Sequence, residues 1–217
     1  LPKTGITGTT TSIALAEEPT ITVKQTCPWP QDDAQMVEYH DTEWGMPLHN
    51  DQKLFEFLVL DAFQAGLSWS TILHKRENFR KAFKDFDPKK VARFTQPDIQ
   101  RLLADQGIIR NRLKIEATVK NAKAFLKVQR EFGTFGKYIW SFVGYQPVDN
   151  KWETVGQIPT SSVQSDDMSK DLKARGFSFV GTTICYAFMQ AAGMVNDHLV
   201  SCFRHQEVKT ISNGYRK

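Results

Sequence analysis

His198 and Cys202 stand four residues apart in V-N-D-H-L-V-S-C. One turn of helix would bring this imidazole and thiol onto a single face, which is half of a tetrahedral zinc site. Cys27, Cys185, His40, His49, His74 and His205 are the residues that could complete it. Cys185 lies within the apolar run TTICYAFMQAAG, where a small buried hydrophobe is its expected role, while Cys27 and His40 precede the first long apolar segment. A second chemical feature is Asp61, a carboxylate inside LFEFLVLDAFQAG. An ionised group in an apolar helix is costly unless something compensates it, so its plain reading is a hydrogen-bonded or helix-terminal acid and its functional reading a pocket acid. Trp29, Tyr39 and Trp44 crowd the sequence around His40, and Trp69 closes QAGLSW; ordinary core packing accounts for most such rings.

The elements that would position these groups are helical. Leu54 to Ala65 is a nearly unbroken apolar run, long enough for a buried helix, with Gly66 as its cap. The pattern from Trp69 to Phe86 predicts one amphipathic helix with Ile72, Leu73, Phe79 and Phe83 inward. Asp87-Pro88 opens a short helix, and Thr95-x-Pro97 opens another that carries Ile99, Leu102 and Leu103 until Gly107 breaks it. Asn111 caps a long helix running to about Phe132, with Ile115, Val119, Ala122 and Leu126 inward and Lys114, Lys120, Lys123, Lys127 and Arg130 outward. After an irregular stretch from Pro147 to Pro159, Ser165 or a neighbour caps a polar helix ending at Gly176, and Thr182 to Ala192 forms the last apolar helix. Only FSFVG has a strand pattern, so the expected class is all-α.

The chain has 217 residues, 41% hydrophobic and 24% charged, as ordinary globular proteins have. No apolar run approaches the roughly 20 residues of a spanning helix, so no membrane association is expected. The first segment, residues 1–24, is rich in Thr and Gly without periodicity and reads as a flexible leader. Its L-P-x-T-G and A-x-A patterns lack the context that sorting signals need, which points to the cytoplasm. Three cysteines spread along the chain argue for reduced thiols and against a disulfide framework.

The net charge of +4 is unevenly distributed: residues 71–140 carry seventeen basic and seven acidic side chains. Such a block is either a solvated helical surface or a footprint for a polyanion. Within it, residues 95–126 read as helix, a short G-I-I-R hairpin and a basic helix. In a helix-hairpin-helix the hairpin amides and the second helix N-terminus bind phosphate without reading sequence. Gly107, Ile109, Arg110, Asn111 and Lys114 are the contacts expected here, with Arg112 beside them.

Taken in order, C-P-W, E-Y-H-D-T-E-W-G, L-F-E-F-L-V-L-D-A-F-Q-A-G-L-S-W, G-I-I-R-N-R-x-K-I, W-S-F-V and R-G-F-x-F-V-G-T-T-I-C-Y-x-F-M-Q-A-x-G-M-V-N-D-H-x-x-x-C resemble the DNA-3-methyladenine glycosylase I family from about Cys27 to Cys202. The resemblance implies a helix-hairpin-helix glycosylase domain over residues 25–205 with a tail at 206–217. It implies one structural Zn2+ on Cys27, His40, His198 and Cys202, tying the chain's ends together. It further implies a base pocket with Tyr39 and Trp69 as the stacking pair and Trp29 and Trp44 lining it, and double-stranded DNA containing alkylated adenine as the partner of a monomer. Asp61 falls where the family usually has a Glu that contacts the amino edge of the methylated adenine, one methylene longer, and Ala62 stands at a usual Gly. Gly66 and Leu67, in the turn beside the pocket, fit a wedge entering the gap left by a flipped nucleotide.

The implied reaction is hydrolysis of the N-glycosidic bond, monofunctional because no motif places a Lys for a Schiff base. Two other classes compete. A zinc-stapled DNA-binding module would bind without releasing a base, and a zinc hydrolase would need an open coordination position, which a Cys2His2 set does not leave.

Overall fold

The computed structural model describes residues 24–214. The leader reading for residues 1–23 lies outside the described residues. Asn50, whose side chain accepts the Lys53 amide at 3.0 Å, starts a helix over Asp51–Gln64 in which every residue from Leu54 to Phe63 is buried. A helix apolar on all sides must be enclosed. Four helices pack against it, Trp69–Leu73, Arg112–Phe132, Phe135–Trp140 and Thr182–Ala191, together with the 3-10 turn at Lys84–Phe86.

In chain order the helices are α1 (Ala34–Thr42), α2 (Asp51–Gln64), α3 (Trp69–Leu73), α4 (Arg76–Ala82), α5 (Pro88–Val91), α6 (Gln96–Ala104), α7 (Arg112–Phe132), α8 (Phe135–Trp140), α9 (Val163–Ala174), α10 (Thr182–Ala191) and α11 (Phe203–Gly214). The helical expectation holds, with three corrections. The single amphipathic helix expected from Trp69 to Phe86 is divided into α3, α4 and a 3-10 turn at Lys84–Phe86, whose residues take positive φ. The break before Arg76 turns that guanidinium inward, onto Glu56 at 2.6 Å and Glu43 at 2.8 Å. FSFVG is not a strand. A two-residue parallel pair, β1 (Val148–Asp149) against β2 (Val195–Asn196), forms instead. Third, the stretch read as a tail continues as α11 and buries Val208.

The piece from α6 to α7 is two helices joined by a tight hairpin. Asp98 accepts the Thr95 amide at the start of α6, and Asn111 accepts the Lys114 amide at the start of α7. Among the described residues, no helix is long and apolar enough to cross a membrane.

Gly193 locks the end of α10 to the loop after α1. It has φ +66°, and a Cβ there would come within 2.3 Å of the Met46 backbone, so only glycine fits. Across this contact Leu48 N–H donates to Ala192 O and Gly45 N–H to Gln190 O.

Candidate functional site

Cys27, His40, His198 and Cys202 converge: their ligand atoms all lie within 4.8 Å of one another, and all four residues are buried. Two come from the N-terminal segment and α1. The other two lie in the turn between β2 and α11, not on one helix as their spacing suggests; Cys202 N–H donates to Leu199 O within that turn.

The fit to a metal can be tested on the histidines. His40 Nδ1 is 2.6 Å from Asp41 Oδ1, and His198 Nε2 is 3.0 Å from Trp44 O. Each outer nitrogen faces an acceptor and so carries the proton, which leaves the inner His40 Nε2 and His198 Nδ1 as lone pairs 3.2 Å apart. Two lone pairs so placed repel unless a cation lies between them. Cys202 Sγ is 3.5 Å from His40 Nε2 and 3.8 Å from His198 Nδ1, and Cys27 Sγ is 3.8 Å from His198 Nδ1. A tetrahedral ion with bonds of about 2.3 Å to sulfur and 2.0–2.1 Å to nitrogen has ligand edges of roughly 3.3–3.8 Å, which these distances match. The outer partners of the two imidazoles supply the orientation that metal-bound histidines require. Gly45, with φ +80°, leaves room for the His198 ring: a Cβ there would sit 3.0 Å from Nε2.

Beside the cluster is a cavity of about 220 Å³ lined by Trp29, Tyr39, Trp44, Asp61, Gln64, Trp69, Ile158, Ala187, Gln190 and Ala191. It is smaller than the roughly 300–1,000 Å³ of pockets for drug-sized ligands, a size suited to one heteroaromatic base. The cavity and the cluster share a wall, because Trp44 lies 4.7 Å from the His198 ring and Trp29 lies 5.3 Å from the His40 ring.

Two of the cavity's rings meet directly. Tyr39 and Trp69 have ring centroids 5.2 Å apart and planes tilted by 44°. These residues form one continuous part of the cavity wall.

Asp61 is 2% exposed, and its Oδ2 has no hydrogen-bond partner. Burial pushes its carboxyl well above the ordinary carboxylate range. The indole nitrogens of Trp29 and Trp69 are likewise buried without partners. Orphaned polar groups concentrated in one cavity are the signature of a site that awaits a polar ligand.

The hairpin lies on the surface of the α6–α7 unit. Arg110 and Asn111 are exposed, and Gly107 and Ile109 are half-buried. Among the described residues, the N–H groups of Ile109, Arg110, Arg112 and Leu113 meet no protein acceptor. These amides and the helix dipole offer a site for an anion. Lys114, expected outward among the contacts, is 7% exposed. Its ammonium donates to Phe63 O at 2.8 Å and Ala65 O at 2.6 Å. It satisfies carbonyls left open at the end of α2 instead of facing solvent. Gly66 has φ +78°, and Leu67 stands 41% exposed at the same turn.

Sequence reading did not single out Gln64, Ile158, Ala187, Gln190 and Ala191, which also line the cavity. Gln190 and Asp197 lie in the quoted M-Q-A-x-G-M-V-N-D-H run, but nothing in their spacing separates a cavity amide from a packing residue.

A family profile described as methyladenine glycosylase matches residues 29–205. The chain is 52% identical over 176 residues to DNA-3-methyladenine glycosylase 1 of Escherichia coli (strain K12), an alignment that spans 81% of this chain and 94% of that protein. It superposes with a TM-score of 0.81 on a crystal structure of 3-methyladenine DNA glycosylase I, at 49% identity over 82% of this chain and 98% of that one. A structure showing the basis of 3-methyladenine recognition by the glycosylase of Staphylococcus aureus gives a TM-score of 0.80 at 40% identity, over 82% and 95% of the chains.

Proposed function

The chain belongs to the methyladenine glycosylase family, and from that premise we propose that it excises 3-methyladenine from alkylated double-stranded DNA by hydrolysing the N-glycosidic bond. The observation that carries the reading is Asp61: a buried carboxyl oxygen with no partner, in an aromatic cavity sized for one base.

Methylation at N3 makes adenine cationic. In the empty cavity burial favours the neutral Asp61 carboxyl. A cationic base supplies the missing counter-charge, so ionised Asp61 and the lesion stabilise one another, while a neutral purine gains nothing from that pairing. The π faces of Tyr39, Trp69, Trp29 and Trp44 add a cation-π contribution of about 0.5–2 kcal/mol. Selection therefore rests on charge as well as shape.

Cleavage sends the glycosidic electron pair into the purine, which departs neutral. The sugar left behind is oxocarbenium-like, water adds at C1′ and loses a proton to solvent, and an abasic site results. The cation is already a good leaving group, so the protein needs to contribute mainly selection and placement. Among the described residues the cavity lining includes no lysine, and the reaction is read as monofunctional, without a Schiff base.

Gly107, Ile109, Arg110 and Asn111 supply the hairpin that holds the DNA backbone. Gly66 and Leu67 form the turn that enters the base stack, with one apolar side chain on an exposed corner. A bound Zn2+ would be structural, because four protein ligands leave no position for water or substrate. It would fasten the segment carrying Cys27 to the turn carrying His198 and Cys202, and thereby hold Tyr39 and Trp44 in the cavity wall. We read the protein as a cytoplasmic monomer, and the absence of a disulfide among its three cysteines fits a reducing compartment.

The direct test is release of 3-methyladenine from dimethyl-sulfate-treated duplex DNA, with borohydride present in a parallel reaction. Base release without a trapped covalent adduct is expected. Binding to the DNA with no base released would make the protein a zinc-stapled binding module instead.

A further inference from the structure

Two amides line the base cavity, Gln64 and Gln190, and among the described residues only the Gln190 side chain is held by a partner. Its Nε2 donates to Asp197 Oδ2 at 2.8 Å. Asp197 is 1% exposed and receives three more hydrogen bonds: Tyr186 OH at 2.8 Å on the same oxygen, and Asn150 Nδ2 at 2.6 Å and Trp152 Nε1 at 2.8 Å on Oδ1. A carboxylate ringed by donors can only accept. The Gln190 amide therefore has one allowed orientation, with Nε2 on Asp197 and Oε1 turned away. Among the described residues no donor reaches that oxygen.

We propose that Asp197 is a positioning residue that fixes Gln190 as an acceptor-only element of the cavity, and that this pair selects methylated bases with an amino group at C6 over those with a carbonyl. The inference rests on the glycosylase reading and adds to it. The C6 amino group of 3-methyladenine offers two hydrogens, enough for Asp61 and for Gln190 Oε1 together. The C6 carbonyl of 3-methylguanine offers none and would place acceptor against acceptor within the cavity. Without its anchor, Gln190 itself could rotate its amide and serve either edge from its place in the wall, which would weaken the discrimination. Leaving a buried acceptor unpaired costs about 1–3 kcal/mol, so the anchored amide accounts for roughly tenfold or more in selectivity.

The test measures kcat/KM for release of 3-methyladenine and of 3-methylguanine from the same methylated duplex. Asp197→Asn should lower the ratio of the two by about tenfold, because the new amide lets Gln190 rotate. The reciprocal double variant Asp197→Asn/Gln190→Glu should restore the ratio, since the carboxylate now sits at position 190 and accepts only. A merely structural role for Asp197 would not be rescued in this way. Gln190→Leu leaves Asp197 with three donors and should also lower the ratio, which decides the question if Asp197→Asn fails to fold. A wild-type ratio in a folded Asp197→Asn or Gln190→Leu protein overturns the inference, as does a double variant that folds and regains no selectivity. Failure of the wild type to release 3-methyladenine would instead overturn the glycosylase reading, and this inference with it.

Discussion

The ammonium of Lys114, in the first turn of α7, lies 2.6 Å from the carbonyl oxygen of Ala65, at the C-terminal end of α2. With its second bond to Phe63 O it fixes the start of the hairpin's basic helix to the turn that presents Gly66 and Leu67. The hairpin and the turn carrying Gly66 and Leu67 are thus one mechanical unit. Burial holds the Lys114 pKa below its ordinary value, but two carbonyl acceptors compensate the charge.

Lys114→Met keeps the stem and removes both bonds. It should destabilise the protein by about 1–3 kcal/mol, measured by urea unfolding, because two carbonyls lose a charged donor. Excision from duplex DNA should fall, while binding of free 3-methyladenine, followed by tryptophan fluorescence, should stay near wild type. Equal losses in both assays would show that the wedge turn and the cavity are not separable.

Asp61 gives a pH signature. Its folded pKa is raised above the ordinary 3.8, so between those two values the folded state binds more protons than the unfolded state, and stability falls as pH rises. The contribution is fully present below about pH 4 and is lost as pH rises through the folded pKa. Asp61→Asn lacks this titration. Relative to wild type the variant should gain about 1.4 kcal/mol of stability per pH unit above pH 4, until the folded carboxyl ionises. The difference at pH 4 absorbs the amide's own burial cost, so the slope alone reports the carboxyl. The same substitution should abolish most excision, and full retention would remove Asp61 from the proposed role.

Much of this architecture was legible in the sequence, for identifiable reasons. The apolar run of α2 and the capped, periodic α7 declare themselves because burial and capping are local signals. The four clustered cysteines and histidines were legible through ordered motifs, although the turn that carries His198 and Cys202 was not, since a four-residue spacing is shared by helix and turn. Lys114 was misplaced because helix periodicity puts it near a face boundary and cannot foresee carbonyls arriving from a helix 49 residues earlier. Contact between Tyr39 and Trp69 depends on how α1 meets α3, and Gln190 gains meaning only through Asp197 and the strand carrying Val195 and Asn196. Long-range packing decides these matters, and no window of sequence contains it.

Metal removal tests the cluster. Purified protein should carry about one zinc per chain by atomic emission, and Cys202→Ser should lower that occupancy. Stripping the metal with a strong chelator should lower the melting temperature and the affinity for free base together, because His40 follows Tyr39 and His198 accepts its orientation from Trp44. A metal-free protein with an unchanged melting temperature would show that the cluster is no clasp. One that kept its stability but lost all base release would point to a catalytic ion.

Gly193→Ala probes the link between α10 and the loop after α1. The added Cβ would meet the Met46 backbone at 2.3 Å, and no flexible side chain is there to yield. Positive φ adds strain of about 1 kcal/mol or more. The loop must retreat, which breaks the Leu48–Ala192 and Gly45–Gln190 hydrogen bonds and moves Trp44, the Gly45 neighbour that holds His198. A loss of about 3 kcal/mol or more is expected, read as a lower urea midpoint. Zinc content and excision should fall with it, since the same loop serves the cysteine–histidine cluster and the cavity wall. Gly156→Ala is the control: a Cβ at that position meets nothing within 4 Å, so its midpoint should stay within about 0.5 kcal/mol of wild type. Equal behaviour of the two variants would refute the idea that this contact clamps the site.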